Sequence, residues 1–223
     1  MKLSHVICVC CLMTSSLQAE RIIADAFHLT GARKSGVMLN GLVTEEGNAT
    51  WDAYNNVVLK GDAKAGFLEV DGDGSTRAQV PLVVESGKVS MSCRVTNGEE
   101  GGSERWIALG FSNDKKATLW NEANPALGGQ VYVVLSAGGK TTVYEGTAVL
   151  KSGEVRDFHR NEFNNVKLVF DFATLVLTVT VNGEDFYAGA IRKSPSIKWA
   201  RIELQNPKPS VTKVDQFRVE TSD

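Results

Sequence analysis

Along most of this chain apolar residues return at every second position, the spacing of strands that bury one face. Between residues 88 and 96, Val89, Met91, Cys93 and Val95 fall on one side, while Ser90, Ser92, Arg94 and Thr96 fall on the other. Residues 166–182 carry the pattern twice. Val166, Leu168, Phe170 and Phe172 make one face, Leu175, Leu177, Val179 and Val181 make the next, and Ala173-Thr174 is the expected turn between them. Asn182-Gly183 suits a tight hairpin, because both residues accept the positive φ that such a turn requires. Residues 185–191 then return as a third strand, so a three-stranded antiparallel meander is predicted.

Shorter runs predict further strands over 21–27, 56–60, 66–70, 77–82, 105–112, 130–136, 141–145, 198–205 and 213–220. Clusters of Gly, Asn, Asp, Ser and Pro separate them, as at Asp71-Gly72-Asp73-Gly74 and Gly138-Gly139. A dozen short strands punctuated in this way predict an all-β, two-sheet antiparallel sandwich of the jelly-roll kind. Helical spacing is lacking, apart from room for one short turn over 117–126. In a jelly roll the two ends of the chain run side by side, and residues 22–27 and 214–219 are suited to that pairing.

Residues 1–19 depart from the pattern. Lys2 precedes an apolar run over 6–13, and Leu17-Gln18-Ala19 offers a small residue for cleavage before Glu20. This is the layout of a secretory signal, leaving 20–223 as one domain of an exported protein, periplasmic or extracellular in a bacterium. Removing it takes Cys8, Cys10 and Cys11, and Cys93 alone remains, packed among apolar neighbours as an inert thiol. No other apolar run is long enough for a spanning helix. A net charge of -2 with the two signs interspersed argues against nucleic acid as a partner, which would want a basic face. It leaves sugars and proteins open.

Several segments together resemble the concanavalin A-like lectin/glucanase superfamily in its LamG-like bacterial branch. They are Trp51 in a Thr-Trp-Asp segment, Ala78-Gln79-Val80-Pro81-Leu82, the run from Lys88 to Val95, Trp106-Ile107-Ala108-Leu109-Gly110-Phe111, and the late meander ending in Asn182-Gly183. The resemblance extends from about Asp25 to Val219. It implies two curved sheets with a concave face that in relatives often holds carbohydrate, while other relatives bind protein or serve as structural modules. A shared fold leaves function to the site.

Glycoside hydrolysis needs a pair of carboxyl groups flanking the scissile bond. The laminarinase-type pattern Glu-x-Asp-x-x-Glu meets Glu69-Val70-Asp71 here but has Gly74 in its last place. The chain is therefore read as a non-catalytic binding module for a polysaccharide or glycoconjugate, with a structural or protein-interaction domain as the alternative and a glycoside hydrolase as a third. Asp71 and Asp73, alternating in a Gly-rich loop, are candidate oxygen ligands for a structural calcium. By analogy with the family, Asp25 and Asp215 are another candidate ion site. His28 and His159 have no metal-ligand neighbour at useful spacing. Sugar rings stack on flat aromatic faces beside a few polar groups. The candidate carbohydrate contacts are Trp120, Asn121, Tyr132, Tyr144 and Arg105, with Tyr132 and Tyr144 expected on adjacent strands. Trp106 is expected to point inward with Ala108, and Trp51 and Trp199 to pack at strand edges.

Overall fold

The computed structural model describes residues 20–54, 56–62, 64–71, 74–97, 105–116, 119, 131–206 and 212–222. Its first strands are β1 (Arg21–Asp25), β2 (Asp52–Ala53), β3 (Val57–Gly61), β4 (Gly66–Val70) and β5 (Gly74–Val84). Then come β6 (Lys88–Thr96), β7 (Trp106–Ser112), β8 (Val131–Ser136), β9 (Lys140–Glu145) and β10 (Ala148–Glu154). The last are β11 (Asn164–Asp171), β12 (Val176–Val181), β13 (Glu184–Ala190), β14 (Ile197–Asn206) and β15 (Lys213–Ser222). No helix occurs among the described residues, and so none is long and apolar enough to cross a membrane.

The strands form two antiparallel sheets. One runs β13-β12-β11-β6-β15-β4-β3, with β1 also paired to β15, and the other runs β10-β9-β8-β7-β14-β5-β2. The alternation in the sequence explains which side chains meet between them. Val89, Met91, Cys93 and Val95 of β6 join Val166, Leu168 and Phe170 of β11 in the core. From the facing sheet Ala78, Val80 and Leu82 of β5, Ile107, Leu109 and Phe111 of β7, and Ala200, Ile202 and Leu204 of β14 fill the other half. Cys93 is buried there, and burial pushes its thiol well above the ordinary range, with Asp215 adding to the effect. A thiolate is the reactive form, so this side chain is inert.

The meander stands as read from the sequence, with one shift of boundary. Strand β11 ends at Asp171, and Leu175 lies in the turn at φ 55° rather than opening the next strand. Asp171 causes this: its Oδ1 accepts the Ala173 and Thr174 N–H groups at 2.9 and 3.2 Å, closing the turn one residue early. Asn182 and Gly183 take φ of 52° and 85°, the two positive values a tight hairpin needs. The chain ends pair as expected, from Arg21 opposite Thr221 to Asp25 opposite Phe217.

Between β1 and β2 the chain makes an irregular excursion that alternation did not reveal. Asp25, fully buried, holds it in place. Its carboxylate accepts both terminal nitrogens of Arg33, the Trp51 indole N–H at 2.8 Å and the Phe27 N–H at 2.8 Å. Arg33 also donates to Glu45 at 2.7 Å. Trp51 packs between Phe27 and Phe217, with ring centroids at 5.9 and 4.9 Å. Asp25 is thus committed to Arg33, while Asp215 sits 3.3 Å from Arg94. Each carboxylate of this family-analogy pair thus has its own cation in the fold, Arg33 for Asp25 and Arg94 for Asp215.

Candidate functional site

The outward face of the seven-stranded sheet carries the most concentrated chemistry among the described residues. Its side chains are those that alternate with the core set. Strand pairing aligns them in a row across the sheet: Asp52, Gln79, Arg201, Gly110, Tyr132 and Tyr144. A parallel row next to it holds Arg77, Glu203, Ala108, Val134 and Thr142.

The face divides into a polar half and an aromatic half. On β2, β5 and β14, Gln79 donates to Asp52 at 2.6 Å and accepts from Arg201 Nε at 2.8 Å. Arg201 is fully buried and lies 3.6 Å from Glu203. Burial lowers its guanidinium to about 10, against the pull of Glu203, so it still carries its charge at neutral pH. Arg77 stands over the ring of Tyr54 at 4.7 Å. Such a cluster is costly to bury unless every charge is paired or hydrogen-bonded.

The pairing comes from the chain's own segment after β7. Asp114 O accepts from Arg201 Nη2, Lys115 O from Gln79 at 3.1 Å, and Lys116 O from Arg77 at 3.0 Å. Farther on, the Leu119 N–H donates to Glu203 at 2.6 Å. Ser112 Oγ accepts the Asp114 N–H at 3.2 Å, and Asp114 Oδ1 accepts the Lys116 N–H at 2.6 Å, which shapes the turn that lays these carbonyls on the sheet. Sequence reading missed Asp52, Arg77, Gln79, Arg201 and Glu203, because long polar residues alternating with Ala, Val, Ile and Leu look like an ordinary solvent face. The nearest signal was the concentration of charge in Arg201-Ile202-Glu203 and Arg77-Ala78-Gln79, where short polar residues would suffice.

On the aromatic half, Tyr132 of β8 and Tyr144 of β9 lie directly opposite one another. Their rings stack at 4.8 Å with planes 10° apart. Tyr132 is nearly covered and Tyr144 half-buried. Leu119, Val134, Ala108 and Trp106 surround them as a second apolar cluster, separate from the core. Gly110 makes this approach possible: a Cβ there would collide with the Tyr132 Cβ and the Val131 carbonyl.

The tyrosines are therefore adjacent on one face, with Val134 and Thr142 as neighbours. Trp106 and Ala108 share that outward face, contrary to the inward placement expected of them. The reason is the phase of β7: Ile107, Leu109 and Phe111 take the core positions, so their even-numbered neighbours must point away. Arg105 is buried immediately before β7, and alternation groups it with Ile107 rather than with the tyrosines. Trp120 and Asn121 lie outside the described residues, as does Asp73. Asp71 is exposed, and its N–H donates to Asn56 O at 2.7 Å. No group of three or more His, Cys, Asp or Glu side chains converges as a metal site among the described residues. Glu69 is buried on β4, in the sheet opposite the one that carries Asp52 and Glu203. Trp51 is a core residue, and Trp199 lies half-buried on the outward face, with the Lys115 ammonium 5.7 Å from its ring.

No family model matches this sequence, and no curated protein aligns with it. Solved structures do match in shape. The carbohydrate recognition domain of Emp47p superposes with a TM-score of 0.57 at 12% identity, covering 89% of this chain and 99% of that one. Winged bean acidic lectin, solved with methyl-alpha-D-galactose, gives 0.57 at 10% identity over 92% of this chain and 99% of the lectin. The exoplasmic/lumenal domain of VIP36 in its Ca2+/Man-bound form gives 0.57 at 11% identity over 88% of each chain. The fold is concanavalin A-like. At these identities the likeness speaks for the fold alone.

Proposed function

We propose that this chain is an exported, non-catalytic carbohydrate-binding module that takes its ligand on the outward face of the seven-stranded sheet. The observation that carries this reading is the row in which stacked Tyr132 and Tyr144 continue, across Gly110, to Arg201, Gln79 and Asp52. A half-buried aromatic ring offers a surface for the apolar side of a sugar, and partly exposed Asp52 with the segment 112–116, which covers Gln79 and Arg201, offers hydroxyl partners. Lectins and lectin-like domains of the same fold, solved with mannose or a galactoside, support the ligand class. Trp120 and Asn121, a few residues beyond that segment, belong to the same proposed site, whereas Arg105, grouped with Ile107, contributes no ligand contact to it.

Export rests on the signal-like residues 1–19, and is supported by the lumenal or exoplasmic setting of the VIP36 domain. N-terminal sequencing of the secreted product is expected to begin at Glu20. A calcium ion held by Asp71 and Asp73 would have a structural role. Adding calcium should then raise the Tm, and the rise should vanish on chelation and in Asp71→Ala.

Glycan-array binding tests the function. Tyr144→Ala is expected to weaken binding about tenfold, equivalent to about 1.4 kcal/mol, with an unchanged circular dichroism spectrum. Retention of no glycan by the folded protein would favour the protein-interaction reading instead.

A further inference from the structure

The end of the sandwich farthest from β2 and β3 holds a second feature. Edge strands β10 and β13 lie at the same end of their respective sheets. Between them opens a cleft of about 370 Å3, within the range of about 300–1,000 Å3 that small-ligand sites occupy.

Each of the two edge strands carries a β-bulge. In β13, Tyr187 and Asp185 pair with the consecutive residues Val179 and Thr180, so Phe186 is the extra residue. In β10, Val149 and Lys151 pair with the consecutive residues Tyr144 and Val143, so Leu150 is the extra one. A bulge re-aims side chains and bends the strand. Here the two bulges act together. They turn Phe186 toward the space between the sheets, over Val181, and bring Lys151 and Gly153 round to face it. A Cβ on Gly153 would touch the Phe186 ring at 3.9 Å, so a larger side chain there would crowd the approach to that ring. Lys151 leans over it, its ammonium 5.4 Å from the centroid on a long exposed side chain.

We propose that this cleft is a second binding site, for a neutral oligosaccharide. A pyranose presents an apolar C–H face and a rim of hydroxyls that both donate and accept. The cleft matches it with one aromatic ring, donors on Lys151 and Arg156, and acceptors on Glu154, Glu184 and Asp185. Three carboxylates against two cations disfavour an acidic sugar. The same charges, together with the bulges, guard both edges against pairing with another strand, so an extended peptide is not the occupant. The site shares its ligand class with the function proposed above but stands on different residues.

An NMR titration of the protein separates the two sites. The probes are cellotetraose, laminaritetraose and maltotetraose, with tetragalacturonate as the acidic comparison. The Gly153 and Phe186 amides report the cleft, and the Tyr132 and Tyr144 amides report the sheet face. At least one neutral probe is expected to shift the cleft amides saturably. Phe186→Ala, and Gly153→Leu, which fills the cleft from an edge strand without touching the core, should each weaken that response at least tenfold. Cleft amides that stay still with every neutral probe, or that move only with tetragalacturonate, overturn the proposal, as does wild-type affinity in Gly153→Leu. Shifts confined to Tyr132 and Tyr144 would remove the cleft site and leave the sheet-face reading intact.

Discussion

At the scale of single residues, the site depends on what is left out as much as on what is present. Gly110 is the clearest case. It occupies the one position in the cross-sheet row between Arg201 and Tyr132, where a side chain would strike both a neighbouring Cβ and a carbonyl oxygen. Gly110→Ala must therefore push β8 away from β7, and overpacking of this kind costs about 1–3 kcal/mol. Urea denaturation is expected to show that loss, together with weaker glycan binding as the tyrosine pair shifts. Cys93 is the opposite case. Its place on the inner face of β6 was readable from alternation, and the structure adds only the depth of burial that keeps its thiol protonated.

At the scale of elements, turn chemistry accounts for both the successes and the misses. Asn182-Gly183 was legible because its backbone demand is met by few residue types. The structure shows that Asn182 does more than turn the chain: it donates to Asp157 O at 2.6 Å and to Asn164 Oδ1 at 2.9 Å, and accepts the Asn165 N–H at 2.8 Å. Asn182→Ala loses these bonds and also strains at positive φ, whereas Asn182→Gly loses only the bonds. Thermal unfolding should rank wild type above Asn182→Gly, and Asn182→Gly above Asn182→Ala, the last down by about 1–3 kcal/mol. Strand β10 was not legible. It is an edge strand with exposed residues on both faces, Val149 among them at 58% exposure, so no period marks a buried side. The two-residue β2 is too short to show any period. The turn after β11 was misplaced by one residue because a side-chain acceptor, Asp171, outranked the apolar character of Phe172 and Leu175.

At the scale of the whole molecule, one ionic cluster closes the sandwich around its chain ends. Asp25, Arg33, Glu45 and His28 pin the excursion over residues 26–50 against β1. Burial works to raise the Glu45 carboxyl. Hydrogen bonds from the His28 ring and N–H and from the Ala26 N–H, with the charge of His28, outweigh it and hold the group below its ordinary value of 4.5. A carboxyl depressed in the folded state stabilises that state above its unfolded value, and the benefit disappears as pH falls through the folded one. The urea midpoint of the protein is therefore expected to decline below about pH 4.5, and Glu45→Gln should flatten that decline while lowering the midpoint at neutral pH. An equal acid slope in the variant would contradict this account.

What the amino-acid order determined by itself was local: which residues alternate, where the backbone must take positive φ, and hence an all-β sandwich with its termini side by side. These follow from the pleat and from steric limits that act over a few residues. The tyrosine pair was partly legible for the same reason, since the alternating runs put the two rings on adjacent strands. Only the tertiary structure decided that Arg77, Gln79, Arg201 and Glu203 are buried side by side with Asp52 at their margin, because β2, β5 and β14 are distant in sequence and the carbonyls that accept from Arg77, Gln79 and Arg201 come from another segment altogether. It also decided that two bulged edges, more than thirty residues apart, face each other across one cleft. Burial and long-range pairing depend on what lies across the sheet, and a period of two carries no information about that.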